Sequence, residues 1–326
     1  MNLPLIKSNA IALGTGLFHF SLILFSFWLC FALWIQQPFG KWFTPIIIVL
    51  WLLFITLHFK TVPILLICSV SLIWYFNIPA LQNRHWSPEV ARLISVEQKE
   101  NLFTIHNVRN FDWYPNGQYK ERWETRTYDL NQITGVNIIT SYWMGPQIAH
   151  TLVSFNFANQ RPLVFSIEIR KEKNERFSAL GGFFRQFELS LIAADEKDIL
   201  YTRSNIRHED VYFFPIKLPK HLTQELFLQY IDTAKDLAHH PRWYNTLTSN
   251  CTTMVFDMVQ TINQESLPKD YRILLSGYIP NYLYDRGVLS HKWKIQQWYQ
   301  KAYINPKVKQ NQSSEEFSKA IRKDLL

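Results

Sequence analysis

Ile148-Ala-His-Thr-Leu-Val-Ser-Phe-Asn-Phe157 and Leu163-Val-Phe-Ser-Ile-Glu-Ile-Arg170 are joined by the turn Asn159-Gln-Arg-Pro162. Both segments are rich in β-branched and aromatic residues, and a proline-containing polar turn separates them, so they read as an antiparallel hairpin. Side chains alternate across a strand. Val153, Phe155 and Phe157 therefore share one face, and His150, Leu152, Ser154 and Asn156 the other. In the second strand Leu163, Phe165, Ile167 and Ile169 form the apolar face, which leaves Ser166, Glu168 and Arg170 opposite. His150 and Glu168 can thus project to the same side of one hairpin. A carboxylate placed there can hold an imidazole in one tautomer, as the acid of a catalytic triad does. The plain alternative for Glu168 is a salt bridge to Arg170 or Arg185 on a solvated face.

Around this hairpin the chain reads first as strands, then as helices. Leu102–Arg109, 121–129, 136–142, 189–194 and 211–215 are strand candidates, and Pro115-Asn-Gly117 is a hairpin turn. Residues 171–187 are polar and contain Gly181-Gly182, which suggests a loop with a short helix near 183–187. From Leu222 to His240 apolar residues recur at helical spacing, and Pro241 ends the run. Residues 276–287 read as a turn and short helix stopped by Gly287, and the polar tail 306–326 as loosely ordered. The expected fold class is α+β, an antiparallel sheet with packed helices.

The chemistry-bearing candidate is Cys251, in Tyr244-Asn-Thr-Leu-Thr-Ser-Asn-Cys-Thr-Thr253. Of three cysteines, Cys30 and Cys68 lie in long apolar runs, so Cys251 is the one thiol in the polar part of the chain. Thr248, Ser249 and Asn250 before it are helix-starting residues, and 254–262 continues with helical periodicity. A thiol in the first turn of a helix feels the positive end of the dipole, which favours the thiolate. Inert burial is the plain alternative. A thiolate needs a base. Of the eight histidines beyond residue 83, His239 and His240 end a helix, and His85, His208, His221 and His291 sit in polar contexts. His106 has no acidic neighbour in sequence, whereas His150 opens an apolar strand just after the tight Gly145-Pro146 turn. Among these, His150 is the favoured base. No CxxC, HExxH, phosphate loop, dinucleotide fingerprint or GxSxG elbow is present. No metal and no cofactor are expected.

Composition divides the chain. Residues 1–83 hold Lys7, Lys41 and Lys60 and no acid, so 31 of the 34 Lys and Arg and all 26 acids lie beyond. Three transmembrane helices are expected in 1–83, at about 11–35, 42–59 and 62–78, because one helix through 42–76 would bury Lys60 at the bilayer centre. Three spans put the two ends of the chain on opposite sides. The lysine distribution favours the N-terminus inside and the large domain outside, which in a bacterium means an inner-membrane protein with a periplasmic domain spanning 84–305. Without a basic tract of five or more residues, nucleic acid is not an expected partner.

Several blocks together carry a resemblance. Trp143-x-Gly-Pro-Gln-Ile-Ala-His150, Ser166-Ile-Glu-Ile-Arg-Lys-Glu172, Phe184-Arg-Gln-Phe-Glu-Leu189, Asp210-Val-Tyr212 and the Tyr244–Thr253 signature resemble the Lnb N-terminal periplasmic domain family over roughly residues 100–290. Its named members are membrane-bound lipoprotein N-acyltransferases. More distantly, the signature is similar to lecithin retinol acyltransferase and to permuted NlpC-type cysteine hydrolases, which implies a permuted papain-like thiol-enzyme domain. The resemblance implies Cys251 as nucleophile and His150 as base, with Tyr244 and Asn250 of the signature near the substrate; Glu168 as third member comes from the strand geometry. The expected activity is transfer of a fatty acyl group from a membrane phospholipid, through a Cys251 thioester, to an amine such as a lipoprotein N-terminus. Arg170, Arg185 and Arg207 are candidate contacts for lipid phosphate, with solvated salt bridges as the plain alternative. The alternatives are a cysteine amidase or peptidase acting on cell-wall peptide and a non-enzymatic membrane assembly factor.

Overall fold

The protein is described here by a computed structural model covering residues 3–57, 61–262 and 267–325. The chain divides into two compact units, residues 1–80 with 178–186, and residues 81–177 with 187–326.

The first unit contains α1 (Leu3–Gln36), α2 (Gly40–Leu57), α3 (Thr61–Phe76) and the short α4 (Ala179–Phe183). Leu29, Leu33, Trp51 and Ile64 meet in a small core, while Leu13, Leu17, Phe20, Trp42, Phe43 and Leu65 point outward, exposed. Apolar side chains on the outside suit a lipid surround rather than water. Among the described residues two helices, Ala12–Gln36 and Gly40–Leu57, are long and apolar enough to cross a membrane. The third expected span is corrected. α3 is a helix of 16 residues, about 24 Å at 1.5 Å per residue, short of a hydrocarbon core of about 30 Å. Arg185 closes this unit: its Nη1 donates to the Tyr75 and Phe76 carbonyls at 2.8 and 3.1 Å, at the C-terminal end of α3.

The second unit is built on strands β1 (Ser95–Lys99), β2 (Leu102–Arg109), β3 (Asp112–Trp113), β4 (Tyr119–Lys120), β5 (Trp123–Asp129), β6 (Ile133–Tyr142), β7 (Ala149–Phe157), β8 (Leu163–Arg170), β9 (Glu188–Ala194) and β10 (Asp210–Ile216). Its helices are α5 (Glu196–Tyr201), α6 (Lys220–His239), α7 (Cys251–Ile262), α8 (Ile279–Asp285), α9 (Ile295–Ala302) and α10 (Ser314–Arg322). The main sheet runs β1-β2-β9-β8-β7-β6-β10, with β5 also paired to β2. Among the described residues only β2 and β9 run parallel, meeting at Arg109 and Ala194, so the sheet is mostly antiparallel and the α+β expectation holds.

β7 and β8 form the expected hairpin, with Leu152 opposite Ser166 and Phe155 opposite Leu163. Its apolar face is covered by α6, whose Phe227 and Tyr230 contact Phe155 and Phe165 edge-on or stacked. The opposite face, with Leu152, Val164, Ile139 and Phe213, is buried under Ile199, Leu200, Phe317 and Ile321.

Three local readings change. The turn at 115–117 closes a small ribbon between β3 and β4, set between the long strands β2 and β5. β1 was not anticipated, because an exposed edge strand with Glu97 and Lys99 shows no apolar alternation. The tail is not loose: Ser313 and Glu316 form a capping box, and Phe317 and Ile321 are fully buried. Its polar outer face masked a helical apolar stripe of three-to-four spacing.

Candidate active site

The site is assembled where the central hairpin opens. β7 pairs with β6 as far as Ala149 and β8 with β9 as far as Arg170, but the direct β7–β8 pairing ends at Leu152 and Ser166. Beyond that point the same register sets His150 against Glu168. His150 Nε2 is 3.2 Å from Glu168 Oε1 and 2.8 Å from Ser166 Oγ, and Ser166 Oγ donates to Glu168 Oε1 at 2.6 Å. Glu168 Oε1 also accepts from Arg203 Nη2 at 2.7 Å, while Arg203 Nη1 donates to Glu209 Oε2 at 3.0 Å. Ser141 Oγ donates to the same Glu209 oxygen. A chain of alternating charge therefore runs from His150 through Glu168 and Arg203 to Glu209. Arg203 reaches it from a π-helical turn, Thr202–Ile206, a rare geometry that recurs at functional sites.

Cys251 arrives at the first residue of α7, which packs against β7 and β8. Its position follows from the local sequence. The Asn245 side chain accepts from the Leu247 and Thr248 amides, both at 3.0 Å, and tightens the loop. The Asn250 side chain then accepts from the Thr252 and Thr253 amides at 2.8 and 2.9 Å, an N-cap. Thr252 Oγ1 is 2.9 Å from Thr151 Oγ1 on β7, which ties the helix start to the strand bearing His150.

Charge follows geometry. Burial raises the Cys251 pKa, but the His150 charge and hydrogen bond, the Thr151 amide and the Thr252 hydroxyl together bring it below that of an ordinary thiol. Burial and Arg203 disfavour a proton on His150, yet Glu168 and then Cys251 outweigh them and raise the imidazole to about 9. Burial also opposes the Glu168 charge, and His150 and Arg203 overcome it, holding its pKa well below the usual carboxylate range. Both shifts run toward a thiolate beside an imidazolium. With Nε2 committed to Ser166 and Glu168, Nδ1 is the ring nitrogen left for the sulfur.

The structure thus gathers Cys251, His150 and Glu168, and commits most of the other expected site residues to structural partners. Arg170 is buried and donates to Val90 O at 3.2 Å, Ala91 O at 2.9 Å and the Gln82 side chain, with its guanidinium over Trp86; it fastens residues 82–91 and is not a free phosphate contact. Arg185 belongs to the first unit and is committed to α3. Arg207 pairs with Glu89 at 2.8 Å. Asn250 acts as a helix cap, and its Nδ2 donates to Thr246 O at 2.8 Å. Tyr244 does stand at the site: burial first, then the Cys251 and Glu168 charges, raise its phenol pKa. Sequence reasoning placed Ser166 on the right face without a role, and gave no role to Arg203, Glu209 or Ser141. Arg203 carries no periodic signal, and Glu209 had only its position next to the Asp210-Val-Tyr212 block.

Comparison of the chain with curated proteins and with solved structures finds no match. Residues 119–277, the stretch that holds Cys251, His150, Glu168, Arg203 and Glu209, match the Lnb N-terminal periplasmic domain family. Two apolar membrane-length helices precede that stretch, so the protein is membrane-anchored with a periplasmic domain, and that domain belongs to the Lnb N-terminal periplasmic family.

Proposed function

We propose that the protein is a thiol-dependent acyltransferase of the bacterial inner membrane, acting from the periplasmic side. The observation that carries this reading is the thiol at a capped helix start, beside an imidazole held by Glu168 and Ser166. That arrangement, a nucleophile helix packed on an antiparallel sheet that bears the base, suits a permuted papain-like thiol enzyme.

The Cys251 thiolate attacks the carbonyl carbon of a phospholipid acyl ester. As the carbon–oxygen bond to glycerol breaks, the His150 imidazolium protonates the departing alkoxide, leaving a thioester and a lysolipid. An amine then attacks the thioester carbon, neutral His150 takes its proton, and the carbon–sulfur bond breaks to regenerate the thiolate and release an amide. A lipoprotein N-terminus is the acceptor this scheme calls for. Among the described residues nothing accepts from the Cys251 N–H, while the next two amides are held by Asn250. That free N–H is a donor for the oxyanion of each tetrahedral intermediate. Ser166 and Glu168 keep the imidazole oriented through both steps.

Incubating the full chain with phospholipid vesicles, quenching in acid and weighing the Cys251 peptide tests the scheme. A fatty-acyl mass that hydroxylamine removes supports it. A peptide-derived adduct after incubation with cell-wall fragments would instead establish the amidase reading. An unmodified Cys251 under both conditions, with full biological function of Cys251→Ala, would overturn both.

A further inference from the structure

A cavity of about 490 Å³ opens at the β6–β10 edge of the sheet, lined by Tyr142, Asp210, Tyr212, Tyr278 and Tyr299 among others. Its volume is that of a small-ligand site, and Cys251, His150 and Glu168 are not among the residues lining it. Four tyrosines stand in its walls. Tyr212 stands edge to face with Tyr142, with ring centres 5.4 Å apart, and with Tyr299 at 5.3 Å. Other bonds lock the rings: Tyr142 Oη donates to Gly277 O at 2.5 Å, and Tyr299 Oη to Asn281 Oδ1 at 2.9 Å. The loop behind them is close-packed, since a Cβ on Gly277 would lie 2.1 Å from Pro146 O.

Asp210 stands at this cavity, exposed, opposite Tyr142 across the strand pair. Its Oδ1 accepts from Tyr303 Oη at 3.0 Å, and among the described residues no Lys, Arg or His pairs with it. A carboxylate without a cation, set among aromatic faces, attracts an ammonium group by charge and by the ring quadrupoles together. Burial first, and then the Asp210 charge, push the Tyr212 phenol up to about 12, so that ring stays neutral near pH 7.

The cavity also has a fixed relation to the nucleophile. Asp210 pairs with Tyr142, Tyr142 with Ala149, and Tyr212 and Thr151 both pair with Thr140. Cross-strand partners share a face, so these rings stand on the same side of the sheet as Thr151, which contacts Thr252 beside Cys251. Two residues along β7 and one strand spacing across put Tyr142 on the order of 8 Å from that contact. An amine held here cannot itself reach the thioester carbon. A headgroup ammonium can sit here while its own acyl ester, several bonds away, lies at the sulfur.

We propose that this tyrosine and aspartate cavity binds the ammonium headgroup of an aminophospholipid, the ethanolamine or choline type, and so selects the acyl donor. The assignment rests on the acyl-transfer reading for its purpose, but its test is one of binding and needs no turnover.

Detergent-solubilised full-length chain is titrated with choline, ethanolamine and the neutral isostere 3,3-dimethylbutanol, and then with vesicles of phosphatidylethanolamine or of phosphatidylglycerol. The cations are expected to bind at least tenfold more tightly than the neutral isostere, and phosphatidylethanolamine vesicles to be preferred. Asp210→Asn and Tyr212→Leu should each weaken the cation by about fivefold or more, with the Cys251 alkylation rate unchanged as a check on the fold. Asp210 is exposed, so Asp210→Asn remains decisive if Tyr212→Leu does not fold. Cys251→Ala should bind as the native chain does; if it does and the native chain never carries an acyl adduct on Cys251, the acyl-transfer reading fails while the headgroup site stands. Equal binding of the neutral isostere, preference for phosphatidylglycerol, an Asp210→Asn variant with native affinity, or capture of a peptide amine without the aminolipid would each overturn the headgroup assignment.

Discussion

Replacing Glu168 by Gln preserves the size of the side chain and an acceptor for Ser166, and removes the negative charge between His150 and Arg203. In the native fold His150 titrates near 9 instead of 6.5, a stabilisation of its proton on the order of 3 kcal/mol. Burial and Arg203 work against that proton, and the Glu168 charge is the largest single support, followed by the Cys251 charge and hydrogen bond. Removing the carboxylate should therefore withdraw about 2 kcal/mol and leave the imidazole facing Arg203 unshielded. The thiolate depends on the imidazolium, so the Cys251 pKa rises in turn. Near pH 7 its thiolate fraction should fall by roughly tenfold to thirtyfold. The assay is the rate of iodoacetamide alkylation from pH 5 to 10, read on the Cys251 peptide so that Cys30 and Cys68 do not contribute. The native protein should react well below the pH at which a free thiol does, with a second inflection as His150 loses its proton near 9. Glu168→Gln should show one rise, displaced upward by a pH unit or more. A variant profile that superimposes on the native one, with an unchanged melting temperature, would refute the charge-chain reasoning.

The same carboxylate has a second consequence. Because the folded-state pKa of Glu168 is depressed, its contribution to stability is present above the unfolded value of about 4.3 and is lost as pH falls through the folded one; acid titrations of the unfolding free energy should be flatter in Glu168→Gln than in the native chain. Arg203→Met strands the half-buried Glu168 carboxylate and the buried Glu209 carboxylate, and should cost about 3 kcal/mol in denaturant unfolding; a loss below about 1 kcal/mol would contradict the network. Asn250→Ala removes the cap on two amides and should cost about 1 kcal/mol, measured by urea unfolding, with alkylation of Cys251 slower near pH 7. Phe317→Ala opens a hole in a fully buried position of the tail helix and should cost about 3 to 5 kcal/mol; near-native stability would show the tail to be dispensable.

Much of the site is legible in the sequence because its geometry is local. Strand alternation sets His150 and Glu168 on one side wherever the hairpin forms. The run Thr248-Ser-Asn250 caps a helix whatever that helix later touches. The arginines were illegible for the converse reason. A guanidinium on a long, flexible stem takes whichever carboxylate or carbonyl the fold brings near. Arg170 went to the backbone of residues 90 and 91 and Arg203 to Glu168, and sequence spacing distinguishes neither choice. The tail misled because four buried apolar residues, Val308, Phe317, Ile321 and Leu325, scattered through a polar stretch look like loose chain until something packs on them.

By itself, then, the sequence determined the hairpin and its two faces, the capped helix start at Cys251, and an apolar N-terminal region with helices of membrane length. These depend on backbone periods, caps and transfer free energies that act over a few residues. Only the tertiary structure decided that the hairpin opens beyond Leu152, that the Cys251 helix enters there, and that Arg203 closes the charge chain behind Glu168. Those outcomes depend on pairing between segments many residues apart, where the energy of one contact is set by the packing of all the others.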